Sequence, residues 1–566
     1  MQIGIAGSGP AADSVRAALD DVDAAATATT PDDLGSYPAG VVIAPAGAPA
    51  FGAADAAATR WLAVEIGGLG GVSIPDLDAA VTVLADGVRY RDLRERVAAA
   101  DVEGEGDPTG GRSAVRLAGA VAGHRLVSLL SGADVAGTVV EVPGGERRVR
   151  PVPQPDDRDR TLSRDGRDTT LDDAVARAER AVDDRVGLLT QVGERESFPA
   201  PYYLAATSDT SVFSDARAAA LTAGVDDDWD RAFMKALGEG LERYCAGVYW
   251  TEAFTTAPTD ADDVDGRRSV PPTAFVRPDD WDGSGGGGPI PWVPGEDLAT
   301  GEAVSLPAEF VHYPAPVERH RPPITTGLGL GSSGAEALRS GCYEVIERDA
   351  TMLAWYSTYE PLGLTVEDEG FSALVDRARA ERLSVTPLLV TADVDVPVVA
   401  AAVHREGEWP RFAVGSGANL DAAAAARSAL AEALQNWMEL RAMGPEQSRA
   451  EEGAIGRYAD FPAEARAFVD ADGDVPAAGV GPDPIPSGTD ELDAVVGRLT
   501  DAGLDAYAAR ITTPDVAALG FEAVRVCSPA AQPLFVDEPY FGERAATVPP
   551  ELGYEPRPNR AFHPFP

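Results

Sequence analysis

The sequence predicts an α/β protein with a smaller N-terminal α/β domain and a larger α/β domain, and three observations support this prediction. In residues 1–150, short apolar runs with strand character alternate with alanine-rich helical runs. Residues 151–165 are charged and rich in proline without periodicity, which is typical of a linker. Residues 166–566 mix strands with long amphipathic helices. At 566 residues, the chain is long enough for two domains with substantial cores.

The N-terminal domain begins with a short apolar strand, Met1–Ala6, which a glycine turn joins to a helical run over 15–19. Further strand-like runs at 41–44 and 61–65 alternate with helical runs. A Gly-x-Gly turn such as Gly7–Gly9, between a strand and a helix, can hold a phosphate group. This order of elements predicts a Rossmann-like domain, although the turn alone does not assign a nucleotide site to it.

The charge of the chain excludes a general affinity for nucleic acid. Asp and Glu number 91 against 47 Lys and Arg, which gives a formal net charge of −44 and a pI near 4.3. A phosphate backbone would therefore be repelled over most of the surface. Lys235 is the only lysine, and the other basic residues counted here are arginines. This composition is typical of a halophilic cytoplasm, where salt screens the self-repulsion.

The sequence also argues against a membrane protein and against a cysteine-based site. No apolar stretch approaches the ~20 residues that a helix needs to cross a bilayer, and no basic region precedes an apolar run at the N-terminus. We therefore expect a cytoplasmic protein. Cys245, Cys342 and Cys527 are far apart and form no Cys-x-x-Cys pair. Neither a disulfide framework nor a thiolate zinc site is predicted, and we expect no zinc.

The most informative pattern is Glu-x-x-Glu-Arg, which occurs twice within apolar helical patterns. The two copies are Glu239, Glu242 and Arg243, and Glu344, Glu347 and Arg348. Residues three apart share a helix face, so each copy presents two carboxylates together. If the two helices meet, four carboxylates converge, and such a site needs raised pKa values or a cation such as Mg²⁺ carrying a nucleotide phosphate. The alternative for either copy alone is an ordinary surface salt bridge.

Two further stretches offer groups that suit a phosphate. The glycine-rich stretch from Ile324 to Glu336 precedes the second acidic helix and supplies backbone N–H groups and hydroxyls, including that of Ser332. An alanine-rich helix is predicted over 422–441. Its polar residues are Arg427, Glu432 and Gln435. An arginine on this helix could neutralise phosphate charge.

The order of these motifs resembles the YcaO family of ATP-dependent peptide-modifying enzymes, over about residues 166–566. The segments that carry the resemblance are Gly166–Ala174, Ala236–Tyr244, Thr326–Ala350 and Arg427–Gln435. They are similar to the family's opening Gly-Lys-Asp segment, its two Glu-x-x-Glu-Arg helices and its Arg-Ala-x-x-Glu-x-x-Gln helix. Lys235 and Ala236 replace a small hydroxyl region of the family's first acidic helix. The resemblance implies the α+β YcaO fold for the larger domain.

The resemblance also implies a role for each matching residue. Mg²⁺ ions on the ATP phosphates would be held by Glu239, Glu242, Glu344 and Glu347. The nucleotide or its metals would be contacted by Ser332 and Glu336. Phosphate charge would be met by Arg348, Arg427 and Arg167, the last of which stands at the family's nucleotide-contacting lysine. Two more residues of the same motifs are assigned to the cofactor site, Arg243 and Gln435.

In the family, ATP activates a peptide-backbone amide: a nucleophile adds to the carbonyl, and the resulting oxyanion is phosphorylated and then expelled as phosphate. A neighbouring Cys, Ser or Thr yields an azoline, whereas external sulfide yields a thioamide. The resemblance therefore implies a cyclodehydratase that acts on a ribosomally synthesised peptide of the thiazole/oxazole-modified, bacteriocin type. Thioamide formation, or an accessory role in modifying a ribosomal protein, is the near alternative. A peptide-binding scaffold without turnover is the alternative from another class.

Both ends of the chain add to the resemblance. Residues 559–566 are similar to the proline-rich terminus of azoline-forming members, whose last residues reach the active site, so Pro564 and Pro566 are implied as catalytic. Phe562 occupies one expected proline position. Residues 1–150 resemble a degenerate ThiF-like docking domain, which in the family binds the leader region of the substrate. We therefore expect a precursor peptide as partner, a docking or sulfur-delivering protein as a possible second partner, and a homodimer.

Overall fold

The computed structural model describes residues 1–279, 288–450, 455–471, 473–536 and 538–565. The chain divides into two compact units. The first comprises Met1–Gln154, Ala181–Gln191 and Thr207–Ser214, and the second comprises Pro155–Arg180, Val192–Ala206 and Asp215–Pro566. The first unit thus gathers two later segments besides the N-terminal part. The domain boundaries expected from the sequence remain a prediction.

The first unit contains nine strands and four helices among its described residues. The strands are β1 Gln2–Ala6, β2 Ala25–Ala28, β3 Gly40–Pro45, β4 Trp61–Ile66, β5 Gly68–Leu69, β6 Val72–Ser73, β7 Ala79–Leu84, β8 Thr138–Val142 and β9 Glu146–Arg148. The helices are α1 Pro10–Asp20, α2 Pro49–Ala57, α3 Tyr90–Ala99 and α4 Arg112–Leu130.

Seven of these strands form a sheet in the order β2-β1-β3-β4-β7-β8-β9. The pairs from β2 to β4 are parallel, and those from β4 to β9 are antiparallel. Along β4, Leu62 and Val64 pack in one core cluster with α1 and α4, whereas Trp61 and Ala63 pack in another with α2 and α3. Because successive side chains of a strand point to opposite faces, helices cover both faces of the sheet. The α/β class predicted for this part is confirmed.

The remaining strands belong mainly to the second unit. They are β10 Leu189–Glu196, β11 Tyr202–Thr207, β12 Leu221–Val225, β13 Thr255–Ala257, β14 Asp263–Val264, β15 Arg267–Ser269, β16 Ile290–Asp297, β17 Ala303–Pro307, β18 Leu328–Gly331, β19 Leu362–Thr365, β20 Ser384–Leu389, β21 Val398–His404, β22 Phe412–Ala418, β23 Asp474–Pro476, β24 Tyr507–Arg510 and β25 Glu522–Cys527.

The helices of the second unit include three long ones that position the site described below. The full set is α5 Leu171–Ala178, α6 Trp229–Gly247, α7 Ala308–Val311, α8 Gly334–Trp355, α9 Glu369–Ala380, α10 Ala422–Gln447, α11 Ile455–Tyr458, α12 Ala463–Val469, α13 Thr489–Asp501, α14 Pro514–Ala517 and α15 Glu543–Glu551. Helix α10 is broken at Gly444, whose φ is 77° and which precedes Pro445.

These strands form three sheets. The first is β10-β11-β12, the second is β14-β15-β17-β16-β24-β25-β18 with β13 paired to β16, and the third is β22-β21-β20-β19-β23. In the third sheet, Val398 and Ala400 of β21 pack in the core cluster that contains α8, whereas Val399 and Ala401 pack in the cluster that contains α10. Helices α8 and α10 therefore lie on opposite faces of this sheet, and β22 is its edge strand between them.

Strand β18 brings α8 close to the second sheet because it is built from glycine and leucine. A Cβ atom at Gly329 or Gly331 would collide with the backbone of α8 near Ala337, so only glycine permits this approach. The same strand also packs against α6. Both acidic helices are thereby placed beside one short strand. Among the described residues, no helix combines the length and apolar character needed to span a bilayer.

Candidate nucleotide and metal site

A cavity of about 680 Å³ lies in the second unit where α5, α6, β18 and α8 come together. Its lining comprises Thr169, Thr170, Leu171 and Ala174 at the start of α5, Asp226, Arg231, Met234, Lys235, Gly238, Glu239 and Glu242 on or before α6, Leu330, Gly331, Ser332, Glu336 and Ser340 along β18 and α8, and Phe521. A volume of this size is typical of sites for small molecules and cofactors.

Helix α6 presents one stripe of polar side chains to the cavity. The helix begins after Asp228, whose carboxylate accepts hydrogen bonds from the backbone N–H groups of Asp230 and Arg231. From there Arg231, Lys235, Glu239 and Glu242 follow at spacings of four, four and three. Because these spacings keep residues on one helix face, cations occupy the N-terminal part of the stripe and carboxylates the C-terminal part.

In the first Glu-x-x-Glu-Arg copy, the arginine folds back onto the two glutamates of its own helix. Arg243 lies 2.5 Å from Glu242 Oε1 and 3.1 Å from Glu239 Oε1. The other oxygen of Glu239 accepts a hydrogen bond of 3.0 Å from the backbone N–H of Ala223 in β12. Burial raises the pKa of Glu242 to about 7, and the charges of Glu344 and Glu239 act in the same direction, against the lowering effect of Arg243.

In the second copy, the partners come from other elements. The backbone N–H of Gly327 donates to Glu344 at 3.1 Å, and the hydroxyl of Ser416 in β22 donates to Glu347 Oε1 at 2.7 Å. Arg348 lies 3.6 Å from Glu347 Oε1. Burial raises the pKa of Glu344, and the charge of Glu347 acts in the same direction, against Arg348 and Arg243.

A fifth carboxylate, Glu432 of α10, completes the cluster around the second copy. Its side chain accepts a 2.6 Å hydrogen bond from the backbone N–H of Ser416 and lies 3.8 Å from Arg348 Nη2. Burial raises the pKa of Glu432 to about 7, with Glu347 contributing in the same sense. From the sequence, Glu432 was recognised only as a polar residue of its helix, without a place in the site. The sequence feature that could have indicated its role is its position five residues after Arg427, in the helix that resembles the family's Arg-Ala-x-x-Glu-x-x-Gln helix.

The two copies are neighbours in the fold, as the sequence predicted that they could be. Glu344 raises the pKa of Glu242, and Arg243 lowers that of Glu344, so the charges of α6 and α8 act on each other directly. Of the four predicted metal ligands, Glu239 and Glu242 line the cavity, whereas Glu344 and Glu347 are outside its described lining.

The donor set fits Mg²⁺, although its present arrangement is not that of a formed metal site. Among the described residues, no three carboxylate, imidazole or thiol side chains are already placed to hold a metal ion. The glutamates are instead held by arginines, by Ser416 and by backbone N–H groups. Carboxylate oxygens are the hard ligands that Mg²⁺ prefers, and partly buried carboxylates with raised pKa values gain most from a cation.

The N-terminus of α8 forms another side of the cavity. Ser333 caps the helix by accepting from the backbone N–H of Glu336, and the carboxylate of Glu336 accepts from the backbone N–H of Ser332 at 2.8 Å. Arg177 of α5 donates to the Ser332 hydroxyl at 2.9 Å and to the carbonyl of Gly520 at 2.6 Å. Sequence reasoning missed Arg177, because its contacts with Ser332 and Gly520 are created only by the tertiary fold.

The predicted residue Arg167 lines an adjoining cavity of about 550 Å³, which shares Thr169 and Glu336 with the first. Burial lowers the pKa of Arg177, and the nearby positive charge of Arg167 adds to that effect. Arg167 and Arg177 therefore place two cations beside Glu336, where an anionic group would relieve their mutual repulsion.

A family model described as YcaO cyclodehydratase, ATP- and Mg²⁺-binding, matches residues 223–532, which is more than half of the chain. The chain belongs to the YcaO family. The YcaO match contains both Glu-x-x-Glu-Arg copies, the glycine-rich strand β18 and the helix that carries Glu432. The family expected from the sequence is confirmed.

Among relatives, an uncharacterised protein of Methanothermobacter thermautotrophicus is 29% identical over 236 residues. That match covers 39% of this YcaO chain and 57% of the relative, so the chain spans little more than half the length of this curated relative. A heterocyclase solved in complex with substrate and cofactor has a TM-score of 0.74 at 18% identity, covering 100% of this chain and 85% of its own. The heterocyclase TruD has a TM-score of 0.65 at 17% identity, with coverages of 98% and 82%. These two structures show that the fold is shared.

Two predicted site residues of this YcaO protein make contacts away from the cavity. Arg427 lies 2.9 Å from Asp368 Oδ2 and 3.8 Å from Asp227 Oδ1. The amide of Gln435 donates to Glu439, one turn further along α10. Their roles toward a nucleotide remain predictions. The sequence could not reveal these acidic partners, because Asp227 and Asp368 lie just before α6 and α9, far from α10 in the chain.

The C-terminal segment packs against the end of α8. The indole of Trp355 donates to the Ala561 carbonyl at 2.8 Å, and the Tyr356 hydroxyl accepts from the His563 backbone N–H at 3.2 Å. Burial lowers the pKa of His563 to about 4, and the positive charge of Arg348 contributes, so this segment comes near the second acidic copy. Pro564 is buried. The catalytic prediction for Pro566 falls outside the described residues.

Proposed function

We propose that this YcaO protein uses Mg-ATP to activate a backbone amide of a peptide, and that it forms an azoline from a Cys, Ser or Thr residue. The observation that carries the proposal is the meeting of two Glu-x-x-Glu-Arg helices beside one cavity that also has cationic side chains. A site with carboxylates for metal ions at one end and cations for phosphate oxygens at the other suits a metal-bound triphosphate.

The residues proposed to hold Mg²⁺ are Glu239, Glu242, Glu344 and Glu347. When bound, the metal would neutralise charge on the phosphate oxygens. The protein would hold the carboxylates in place through Ala223, Gly327 and Ser416, whose N–H or O–H groups already donate to three of them. Fixed donors of this kind orient metal ligands and reduce the reorganisation needed when the nucleotide binds.

In the proposed reaction, the side-chain thiol or hydroxyl of the substrate gives up its proton to solvent as its sulfur or oxygen adds to the carbonyl carbon of the preceding amide, and the carbonyl oxygen becomes an oxyanion. This oxygen attacks the γ-phosphoryl group, and ADP leaves. The C–O bond to phosphate then breaks as the amide nitrogen loses its proton, which leaves a C=N bond and inorganic phosphate. Positioning and charge stabilisation would supply most of the catalysis.

Two parts of the chain are proposed to handle the peptide. The C-terminal segment with Pro564 would position the amide, because it approaches Arg348 and is held by Trp355 and Tyr356. The first unit would bind the leader region of a precursor peptide, as the resemblance to a docking domain implies. We also propose that the protein is a homodimer and that it acts in a high-salt cytoplasm.

Thioamide formation and a scaffold without turnover predict different products from the same peptide. Azoline formation removes one water from the peptide, whereas thioamidation replaces one oxygen with sulfur and requires a sulfide donor. A scaffold leaves the peptide mass unchanged. Mass spectrometry of a candidate peptide incubated with the protein, Mg-ATP and high KCl therefore separates the three functions.

The nucleotide part of the proposal is tested first, without a peptide. We expect Mg-ATP to raise the unfolding temperature of the wild-type chain and of Glu551→Gln, an exposed control on α15, and to raise that of Glu347→Gln much less. Ligand at about 100 times its Kd stabilises a protein by about 2.7 kcal/mol. An equal shift in all three proteins would show that Glu347 does not contribute to Mg-ATP binding, and would contradict the proposed metal site.

A further inference from the structure

The single lysine of this chain lies in the proposed nucleotide cavity. Lys235 stands among 47 basic residues, of which the others are arginine. It lines the cavity on the same stripe of α6 as Glu239 and Glu242. It also occupies the position where the resemblance predicts a small hydroxyl region. A composition that favours arginine throughout the chain thus has its one exception at the site.

Lys235 is held at one side and open at the other. Its Nζ atom lies 2.6 Å from Asp226 Oδ2 and donates to the carbonyl of Val225 at 3.2 Å. The Asp226 side chain is only 8% exposed, whereas that of Lys235 is 42% exposed. An ammonium group has three N–H donors, and within the described part of the chain the third has no protein partner. Because Lys235 lines the cavity, this remaining N–H group is available to a ligand bound there.

We propose that Lys235 binds a phosphate oxygen of the nucleotide and that Asp226 is the residue that positions it. This inference rests on the proposed function, because it assigns a contact within the same ATP site. Along α6, Lys235 precedes Glu239 by about 6 Å of helix axis. One triphosphate can thus reach the ammonium at one end while its metal ions reach the carboxylates.

The chemistry of the side chain explains why arginine does not stand here. A lysine ammonium is a compact point charge that can share its donors between Asp226 and a phosphate oxygen. The planar guanidinium of an arginine would instead pair two parallel N–H groups of one edge with the Asp226 carboxylate. The charge would be conserved, but it would be directed away from the nucleotide.

Chemical labelling tests the contact directly because the chain has one lysine. The wild-type protein is acetylated with an amine-reactive ester in high KCl, alone and with Mg-ATP, Mg-tripolyphosphate or adenosine. We expect Mg-ATP and Mg-tripolyphosphate to slow acetylation of Lys235 at least tenfold, and adenosine to leave it unchanged. The N-terminal α-amino group, and an added surface lysine from Arg116→Lys on exposed α4, serve as references that the ligands do not protect.

The outcomes separate this inference from the proposed function. If Mg-ATP raises the unfolding temperature but Lys235 is acetylated at an unchanged rate, the lysine contact is wrong and the ATP site stands. Protection by adenosine alone would place the nucleoside, rather than phosphate, at Lys235 and would also overturn the assignment. If Mg-ATP does not bind the wild-type chain, the proposed function and this inference both fail.

Two variants give a second readout in chains that retain the fold, as checked by their unfolding temperature without ligand. We expect Lys235→Met to weaken Mg-ATP binding about ten- to 100-fold, which is typical for the loss of a charged hydrogen bond. Lys235→Arg should also weaken it, although the charge is kept. Wild-type affinity in both variants would contradict the proposal. Asp226→Asn should speed acetylation of Lys235 in the absence of ligand, because the ion pair that holds the ammonium is removed.

Discussion

In α6, Arg243 turns back along its own helix to Glu239 and Glu242, whereas in α8 Arg348 contacts Glu347 and, beyond its own helix, Glu432 of α10. The two copies have the same spacing of Glu, Glu and Arg. Their surroundings differ, because the second copy lies at the edge of a sheet that separates α8 from α10. The same motif thus finds its side-chain partners within one helix in the first copy and in three elements in the second.

This difference separates what helix periodicity contributes to the site from what the tertiary fold contributes. Helix periodicity alone places two carboxylates and an arginine together, as in the first copy. Only the fold adds Ser416 and Glu432 to the second copy, and these residues fix the orientation of Glu347 through hydrogen bonds and charge. We therefore expect the second copy to be the more sensitive to substitution.

The largest effect is expected for Glu347→Gln. This substitution removes the charge of a carboxylate that is 13% exposed and that accepts from Ser416, while leaving the side-chain shape nearly unchanged. We expect Mg-ATP affinity to fall by about 100-fold, the upper end for changes at metal sites. Calorimetric titration in multimolar KCl measures this affinity. Wild-type affinity in this variant would mean that Glu347 is not a ligand.

The next largest effect is expected for Glu432→Gln, which has no counterpart in the first copy. Burial lowers the pKa of Arg348, and nearby carboxylates, including that of Glu432, raise it. The change removes one of the negative charges that stabilise the Arg348 guanidinium. We expect Mg-ATP to bind about tenfold more weakly, a size typical of residues that orient metal ligands. Unchanged binding would show that α10 does not contribute to the site and would make the two copies equivalent.

Ser416→Ala isolates the hydrogen bond to Glu347 from the charge of the cluster. The backbone N–H of residue 416 still donates to Glu432, but the hydroxyl donor to Glu347 is lost. We expect a weakening of about fivefold, since a typical hydrogen bond contributes about 1 kcal/mol. Ser428→Ala, at an exposed position of α10, is the matched control. Equal affinities for the two variants would argue against a positioning role for Ser416.

The smallest effect is expected for Glu239→Gln in the first copy. The Glu239 side chain is 35% exposed, so water can replace part of its role, and a glutamine oxygen can still accept from the Ala223 N–H. We expect a loss of affinity of only about threefold, about 0.7 kcal/mol, within the range of an exposed charge pair. If Glu239→Gln weakens Mg-ATP binding more than Glu347→Gln does, the order of the two copies is reversed.

The sequence predicted the parts of the site that depend on local spacing. The two acidic helices follow from periodicity, and the glycine-rich stretch before α8 follows from the sequence 324–336, although the strand within that stretch and the Ser333 cap were not predicted. The family followed from the order of the motifs, and the family model confirms it. The α/β class also followed from alternating strands and helices, although the antiparallel half of the first sheet did not.

Contacts between distant elements could not be predicted in the same way. Arg427 was expected to meet phosphate charge, which remains a prediction, and its ion pairs with Asp227 and Asp368 were not foreseen. Nothing in the local sequence of α10 indicates which acids the fold brings to it, because 91 acidic residues offer many partners. Arg177 and Ser416 were missed for the same reason, since each acts through a partner more than 60 residues away.

We propose that the two Glu-x-x-Glu-Arg copies form one Mg-ATP site. This is tested by the unfolding temperature in multimolar KCl as Mg²⁺ is titrated at fixed ATP, for the wild type, Glu242→Gln and Glu347→Gln. We expect a Mg²⁺-dependent rise in the wild type that is reduced by a substitution in either helix. A rise that depends on Mg²⁺ in the same way when either glutamate is replaced would contradict it.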